Sequence, residues 1–407
     1  MSAPPLDTGS MSVAAPVGSR RLLTAPAARL AEHLETFGRM PHHNADHIAQ
    51  EIATAGLTGR GGAGFPTATK LRALAGRKPV VVANATEGEP LSDKDALLLG
   101  YAPHLVLDGL VVAARVVGAR EAYVVTARED LAEAVEDAVA ERRGLVNIQV
   151  ALADDRFVSG EETAVVDLLN GGPGLPTDKL VKVYERGVGG RPTLVNNAET
   201  LAQLALVARF GAEWFRSVGT PDEPGTMLAT VSGAVAEPGV FEVELGTPLD
   251  VLLQAAAAEP LQAVLVGGFH GAWVPAHHIG SVSLSRASLK AYDAAPGAGV
   301  VMALGRSECG LVRAAGIARY LARQSARQCG PCVNGLPRMA DTLDRLARGD
   351  VRPGMVQEVD RLQGLVRNRG ACSHPDGTAR FVTSTMRVFA GEVERHMEGA
   401  CSAPTAR

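Results

Sequence analysis

The chain has 407 residues, a net charge of −4, and a composition that is 46% hydrophobic but only 4% aromatic. That length can bury the cores of two or three domains, the charge offers no footing for nucleic acid or another polyanion, and no apolar run is long enough to span a bilayer. Five unevenly placed cysteines make no secreted disulfide framework, and Arg20-Arg21 before Leu22-Leu23-Thr24 lacks a signal-peptide core, so a soluble, cytoplasmic protein is expected.

Residues 1–25 are rich in Pro, Ser and Ala and read as a loose tail. Asn44 can cap a helix running to about Ala55, which leads into a glycine-rich loop. Pro79 to Ala85 is a continuous apolar run suited to a strand buried on both faces. A helix over 103–117, a strand over 121–127, a helix over 129–142, a strand over 146–153 and a helix over 161–170 follow. Strands alternating with helices predict a parallel α/β sheet. From about Thr226 the pattern changes to short strands at 227–231, 240–243 and 264–267, separated by turns such as Glu237-Pro238-Gly239. From about Glu308 the chain reads as four helices, over 309–325, 335–348, 355–368 and 380–397.

Four polar segments stand out. Gly59-Arg60-Gly61-Gly62-Ala63-Gly64 can turn successive backbone N–H groups toward an anion without a Cβ clash, and Arg60 and Lys70 can add positive charge. The loop is no Walker P-loop, and it precedes the first clear strand, which argues against an ordinary dinucleotide fingerprint. Asn84-Ala85-Thr86-Glu87-Gly88-Glu89 directly follows a strand, where ligands sit in open α/β sheets. Gly160-Glu161-Glu162-Thr163 repeats that arrangement after the third strand, and Asn196-Asn197-Ala198-Glu199-Thr200 is the fourth segment. Taken singly, each of the last three also suits a helix cap.

All five cysteines lie from Cys309 onward, and three of them, Cys329, Cys332 and Cys372, form the motif of the C-terminal helical region. Cys329-Gly330-Pro331-Cys332 and the later Cys372 are soft thiolate donors for an iron–sulfur cluster or zinc. A thioredoxin-type dithiol is discounted, because a helix rather than a strand precedes the motif. Zinc held by Cys329, Cys332, Cys372 and His374 is the rival reading. Cys309 reads as a small buried apolar residue, and Cys401 lies too far toward the C-terminus to join the site. His42, His43, His277 and His278 read as surface residues. A phosphate-cradling loop together with a thiolate site suggests electron transfer.

The four polar segments and the cysteine motif resemble the NADH-binding flavoprotein subunit of respiratory complex I and its relatives in NAD-linked hydrogenases and formate dehydrogenases, over about residues 44–395. The resemblance implies a Rossmann-like α/β FMN-binding domain, a small α+β β-grasp (SLBB) domain, and a C-terminal helical bundle carrying a Cys metal site. The corresponding boundaries are an N-terminal tail at 1–43, then 44–222, 223–300 and 301–400. FMN would be held by Gly59, Arg60, Gly61, Gly62, Lys70, Asn84, Glu87, Gly160, Glu161, Glu162, Asn196, Asn197 and Thr200. The implied reaction is hydride transfer from NADH to the flavin, then single electrons to a cluster held by Cys329, Cys332 and Cys372. No side chain is assigned a general acid or base role. The implied partner is a ferredoxin-like or [2Fe–2S] protein.

The chain departs from the family pattern in three places. Lys182, in the run Lys179-Leu180-Val181-Lys182-Val183, stands where the family stacks a Phe on the NADH adenine. Phe157 replaces a Tyr near the third polar segment, and Ala326 replaces the first cluster cysteine. The expected [4Fe–4S] site is therefore one Cys ligand short, with Cys309 and His374 as candidates to replace it. A donor other than NADH, or a degenerate scaffold with structural zinc, are the alternative readings.

Overall fold

The computed structural model describes residues 12–14, 17–142, 144, 146–178 and 180–403. Its first sheet contains Val80–Ala85 (β1), Glu121–Thr126 (β2), Asn147–Leu152 (β3) and Thr193–Asn197 (β4) in the order β3-β2-β1-β4. All neighbours are parallel. β1 explains why both faces must be covered. Val81 and Ala83 join one apolar cluster, and Val80 and Val82 join another on the opposite face.

The associated helices are Leu30–Phe37 (α1), Ala45–Ala55 (α2), Thr67–Leu74 (α3), Lys94–Tyr101 (α4), Pro103–Val117 (α5), Glu129–Ala140 (α6), Glu162–Leu169 (α7) and Ala198–Arg216 (α8). Pro103 opens α5, where a missing N–H costs nothing, and Gly118 closes it in the left-handed conformation. α5 and α8 approach so closely that a Cβ on Gly109 would lie 1.8 Å from the Leu201 carbonyl oxygen.

A second, mixed sheet follows. It contains Thr226–Gly233 (β5), Gly239–Glu244 (β6), Leu261–Val266 (β7), Ala272–Pro275 (β8) and Val300–Gly305 (β9), in the order β6-β5-β9-β7-β8. Leu249–Ala255 (α9) and the short Arg286–Leu289 (α10) lie within this part of the chain. The C-terminal elements are Gly310–Arg323 (α11), Leu336–Ala347 (α12), Met355–Val366 (α13), His374–Val388 (α14) and Ala390–Met397 (α15). Leu265, Trp273 and Met302 share a core with these helices, whereas Val264, Val266 and Val274 pack into the core on the other side of the sheet.

Two expectations change. The described part of the N-terminal segment is docked rather than loose. Val13 and Val17 bridge to Val240 and Val243 on the edge strand β6. Leu22 and Leu23 are fully buried, and the N–H groups of Arg21, Leu22 and Leu23 donate to the buried Glu242 carboxylate at 2.9–3.0 Å. The helix expected over 380–397 is two helices, α14 and α15, meeting at Phe389. That ring packs on Trp273 with centroids 5.1 Å apart and abuts Gly310, so packing fixes the break.

Among the described residues, no single helix is long and apolar enough to cross a membrane.

Candidate functional site

The glycine-rich loop is closed at its neck. Gly59 N–H donates to the Phe65 carbonyl at 2.9 Å, and Thr67 N–H donates to Leu57 at 2.9 Å. The tip is therefore held rigidly between α2 and α3. Gly61 lies against Asn197, and a Cβ there would be 3.0 Å from the Asn197 Cβ. Arg60 N–H donates to Thr200 Oγ1 at 2.8 Å, which ties the loop to the first turn of α8.

The other motifs meet at the carboxyl ends of β1 and β4. Asn84 pairs in register with Asn197, and its Nδ2 donates to the Gly160 carbonyl at 2.9 Å. Asn197 caps α8 by accepting from Glu199 N–H, and Glu161 caps α7 by accepting from Thr163 N–H at 2.8 Å. Glu162 lies in the first turn of α7. Gly160 packs on Thr86, where a Cβ would be 2.9 Å from its hydroxyl. Lys70 Nζ donates to the Val195 carbonyl at 3.1 Å. All four segments are thus joined by hydrogen bonds or direct packing at one end of the parallel sheet, where open α/β sheets bind ligands.

Arg60 departs from a simple phosphate ligand. Its guanidinium is buried and donates to the carbonyls of Thr226, Thr58 and Pro224. Its backbone, rather than its side chain, faces the motif partners. Another cation meets the loop instead: Arg286 Nη2 donates to the Gly62 carbonyl at 2.9 Å, and a Cβ on Gly64 would strike that guanidinium.

A buried charge network underlies the cradle. Glu87, at φ 44°, curls its carboxylate back to accept from Asp95 and Ala96 N–H at 2.9 and 2.8 Å, in the first turn of α4. Burial and the neighbouring Asp95 raise its pKa to about 7. Glu89 is raised to about 8 by burial, although its Oε2 accepts from Phe269 N–H at 2.8 Å. Lys94 is fully buried among Asp95 at 2.7 Å, Glu199 at 3.1 Å and the Asn197 side-chain oxygen at 3.1 Å. Burial opposes its charge, but these carboxylates and Glu87 more than offset that and hold the ammonium above its ordinary range.

Sequence reasoning passed over Lys94, Asp95 and Arg286. Lys94 and Asp95 open α4, a helix the sequence pattern did not point to, and Arg286 comes from a distant segment. Glu89 and Glu199 fell inside quoted motifs without a role. The one signal was Lys-Asp directly following a ligand-binding turn.

A buried donor on β4, next to the cradle residue Asn197, has no protein partner. Asn196 Nδ2, in the residue preceding the Asn197 that abuts Gly61, is buried without a hydrogen-bond partner. Together with the close-approach glycines, it fits a flat, phosphate-bearing cofactor.

The thiol centre forms separately. Cys329 precedes a turn with π-helical hydrogen bonding at Pro331–Gly335, a local widening common at functional sites. Cys332 lies inside the turn, and Cys372 immediately precedes α14. Cys332 and Cys372 are buried and Cys329 is half-buried. Burial pushes the Cys329 thiol up, but donors from Cys332 and from Ala371 N–H outweigh it and leave its pKa below the ordinary value. Cys332, buried beside Cys329 and Cys372, is pushed up to about 12. Three sulfurs from two segments therefore converge, which fits an iron–sulfur cluster with one iron not held by cysteine.

The two candidates for a fourth ligand are otherwise engaged in this structure. His374 has both ring nitrogens engaged, with His270 at 3.2 Å and the Leu321 carbonyl at 2.8 Å. Cys309 caps the far end of α11, whose fourteen residues span about 20 Å. Among the described residues, Cys329, Cys332, Cys372 and His374 do not form a group close enough for a single zinc ion.

Phe157, just before the third polar segment, packs on His270 and His374 with ring centroids 4.7 and 5.4 Å apart. It thus links the cradle, the second sheet and the thiol region.

A parallel sheet with a flavin cradle, coupled to a thiol centre in a helical region, defines an electron-transfer flavoprotein oxidoreductase. Residues 52–206 match the Nuo51 FMN-binding domain, and residues 304–396 match the NADH-ubiquinone oxidoreductase-F iron–sulfur binding region. The chain is 30% identical over 378 residues to the second F subunit of the NADH-quinone oxidoreductase of Rhizobium meliloti (strain 1021), covering 87% of this chain and 89% of that protein. It is 29% identical over 377 residues to the corresponding F subunit of Rickettsia bellii (strain OSU 85-389), covering 86% and 90%. The crystal structure of an NAD+-reducing [NiFe]-hydrogenase in the H2-reduced state superposes with a TM-score of 0.83 at 32% identity, covering 95% of this chain and 68% of that one. The chain belongs to the family of NADH-quinone oxidoreductase F subunits.

Proposed function

We propose that this chain is the NADH-oxidising, FMN- and iron–sulfur-binding member of an electron-transfer assembly. The observation that carries the reading is the joining of all four motif segments into one cradle at one end of the parallel sheet. Bound FMN would supply hydride acceptance from NADH and single-electron release. The chain's residues bind and orient it. Backbone N–H groups of Gly61 and Gly62 would meet the phosphate, while the N–H groups of Gly59 and Arg60, held by Phe65 and Thr200, keep the loop in shape. Lys70 and Arg286 would add positive charge, while the Arg60 guanidinium braces the loop. Asn84, Asn196, Asn197 and Thr200 would fix the heterocycle, and Gly160, Glu161 and Glu162 would form the opposite wall. Glu87 holds the first turn of α4 in place.

Cys329, Cys332 and Cys372 would hold the cluster. The Phe157–His270–His374 contacts would give a packed route between the two sites. Burial lowers the His374 pKa to about 4 and that of His270 well below its ordinary value, so both rings are neutral there near pH 7.

The finer architecture in this proposal is a flavin domain at 44–222, a β-grasp (SLBB) domain at 223–300 and a helical iron–sulfur domain at 301–400. The partner proposed is a ferredoxin-like or [2Fe–2S] protein, and the place of action is the cytoplasm. Lys182, exposed where the family pattern sets an adenine-stacking Phe, favours a second reading in which a donor other than NADH reduces the flavin.

An anaerobic absorption spectrum decides between the readings. Flavin bleaching by NADH supports the first. Bleaching by reduced ferredoxin alone supports the second. Absence of any flavin refutes both.

A further inference from the structure

A second set of metal donors lies at the opposite end of α11 from the thiol centre. Cys309 is the N-cap of α11, Glu392 and His396 lie one turn apart on α15, and Cys401 follows that helix. One ligand atom from each residue lies within 4.8 Å of every other. Cys309 Sγ is 3.4 Å from His396 Nε2 and 3.6 Å from Glu392 Oε1, and those two atoms are 3.2 Å apart. Tetrahedral zinc, with Zn–S near 2.3 Å and Zn–N or Zn–O near 2.1 Å, places sulfur about 3.5 Å from nitrogen or oxygen, and nitrogen about 3.4 Å from oxygen.

We infer that Cys309, Glu392, His396 and Cys401 form a structural zinc site, distinct from the iron–sulfur ligands and not foreseen from the sequence. The donors are spaced for a single ion. Three of them are buried, and the exposed Cys401 closes the site from outside. Both cysteines are free thiols. Zinc binding releases their two protons, and the two thiolates and one carboxylate leave the site with a net charge of −1 around the divalent ion.

The surrounding groups suit that charge. Arg395 donates twice to the outer oxygen of Glu392, at 3.0 and 2.6 Å. Val312 N–H, at the amino end of α11, lies 3.5 Å from Cys309 Sγ. Ser402 N–H donates to Glu392 at 2.9 Å. The chain reverses at Gly399, φ +77°, and Ala400 N–H donates back to the Arg395 carbonyl at 2.8 Å. That turn returns Cys401 to the helix face carrying Glu392 and His396. The site would clasp the end of the C-terminal helical layer to its first helix.

Zinc, iron and flavin are to be quantified in the full chain, purified anaerobically with zinc in the growth medium and passed over a chelating resin. The expected result is about one zinc per chain. Cys401→Ser, an exposed change near the C-terminus, and His396→Ala should each lower zinc at least fivefold, with iron and flavin content unchanged. After zinc removal, cobalt(II) should give tetrahedral visible bands and sulfur-to-cobalt charge transfer in the wild type but not in Cys401→Ser. The inference is overturned if the wild type holds under a tenth of an equivalent of zinc and gives no cobalt spectrum. It is equally overturned if Cys401→Ser keeps full zinc, or if the anaerobic protein contains a Cys309–Cys401 disulfide.

Discussion

Glu89 illustrates how a carboxylate can shape this molecule without a cation touching it. Its carboxylate is buried, and its Oε2 accepts from Phe269 N–H at 2.8 Å while Oε1 has no partner. The native group titrates near 8, against about 4.5 when exposed. Between those values the native state keeps a proton that the unfolded chain has released, so stability is unpenalised below about pH 4.5 and falls as pH rises toward 8. Glu89→Gln should flatten that decline, gaining on the order of 2–4 kcal/mol relative to wild type at pH 8 and little at pH 4.5. Thermal melts across that range are the measurement, and parallel pH profiles for the two proteins would refute the assignment. Glu242, whose pKa burial also raises, acts as a clamp. Its carboxylate gathers three successive N–H groups of the N-terminal segment and the Thr226 hydroxyl at 2.7 Å. Glu242→Ala would leave those donors buried and unpaired, at a cost of about 3–5 kcal/mol. Early proteolysis at residues 17–23 of that variant would show it. Neither role was legible in the sequence, because each depends on a partner from a distant part of the chain.

Elements whose own pattern decides them were legible. Strand β1 and helix α5 fall where an apolar run and a Pro-opened, Gly-closed helix place them. β4 was legible only as a polar cluster. Its sequence Thr-Leu-Val-Asn-Asn has two amides in five residues, and pairing with β1 makes it a strand. α8 was not expected beyond a possible cap in its polar cluster; Asn197 starts it, and it packs on α5 across Gly109. The cradle motifs were readable because each marks the start of a helix or the end of a strand. The zinc donors were not, because Cys309 and Cys401 meet only after the helical layer has folded. The α5–α8 crossing also positions Asn197 and Thr200, so it couples packing to the cradle. Gly109→Ala would drive a methyl group into the Leu201 backbone. It should cost about 1–3 kcal/mol and lower flavin retention as α8 shifts. Melting temperature and bound flavin per chain are the two readouts, and loss of stability with full flavin retention would uncouple them.

The whole molecule brings together a cradle at one end of a parallel sheet, a second sheet against it, and a helical layer with three thiols. Phe157, His270 and His374 come from those three parts and touch. The arrangement serves electron passage between two sites better than chemistry at either alone, and it leaves the entry of reductant as the open variable. In the proposed function that variable is concentrated at Lys182, exposed beside Val181, where the family resemblance sets an adenine-stacking ring. Restoring the ring by Lys182→Phe supplies a base-stacking surface worth about 1–3 kcal/mol. If NADH is the donor, the variant should lower the KM for NADH about tenfold to a hundredfold, with little change in the maximal rate of flavin bleaching. That split follows because the adenine is remote from the reacting nicotinamide, so the added contact is made equally in ground and transition states. Stopped-flow reduction at varied NADH separates the two constants. An unchanged KM alongside rapid NADH bleaching would show that adenine docks elsewhere on this surface. A failure of both proteins to bleach with NADH, while reduced ferredoxin bleaches both, would assign electron entry to a protein donor.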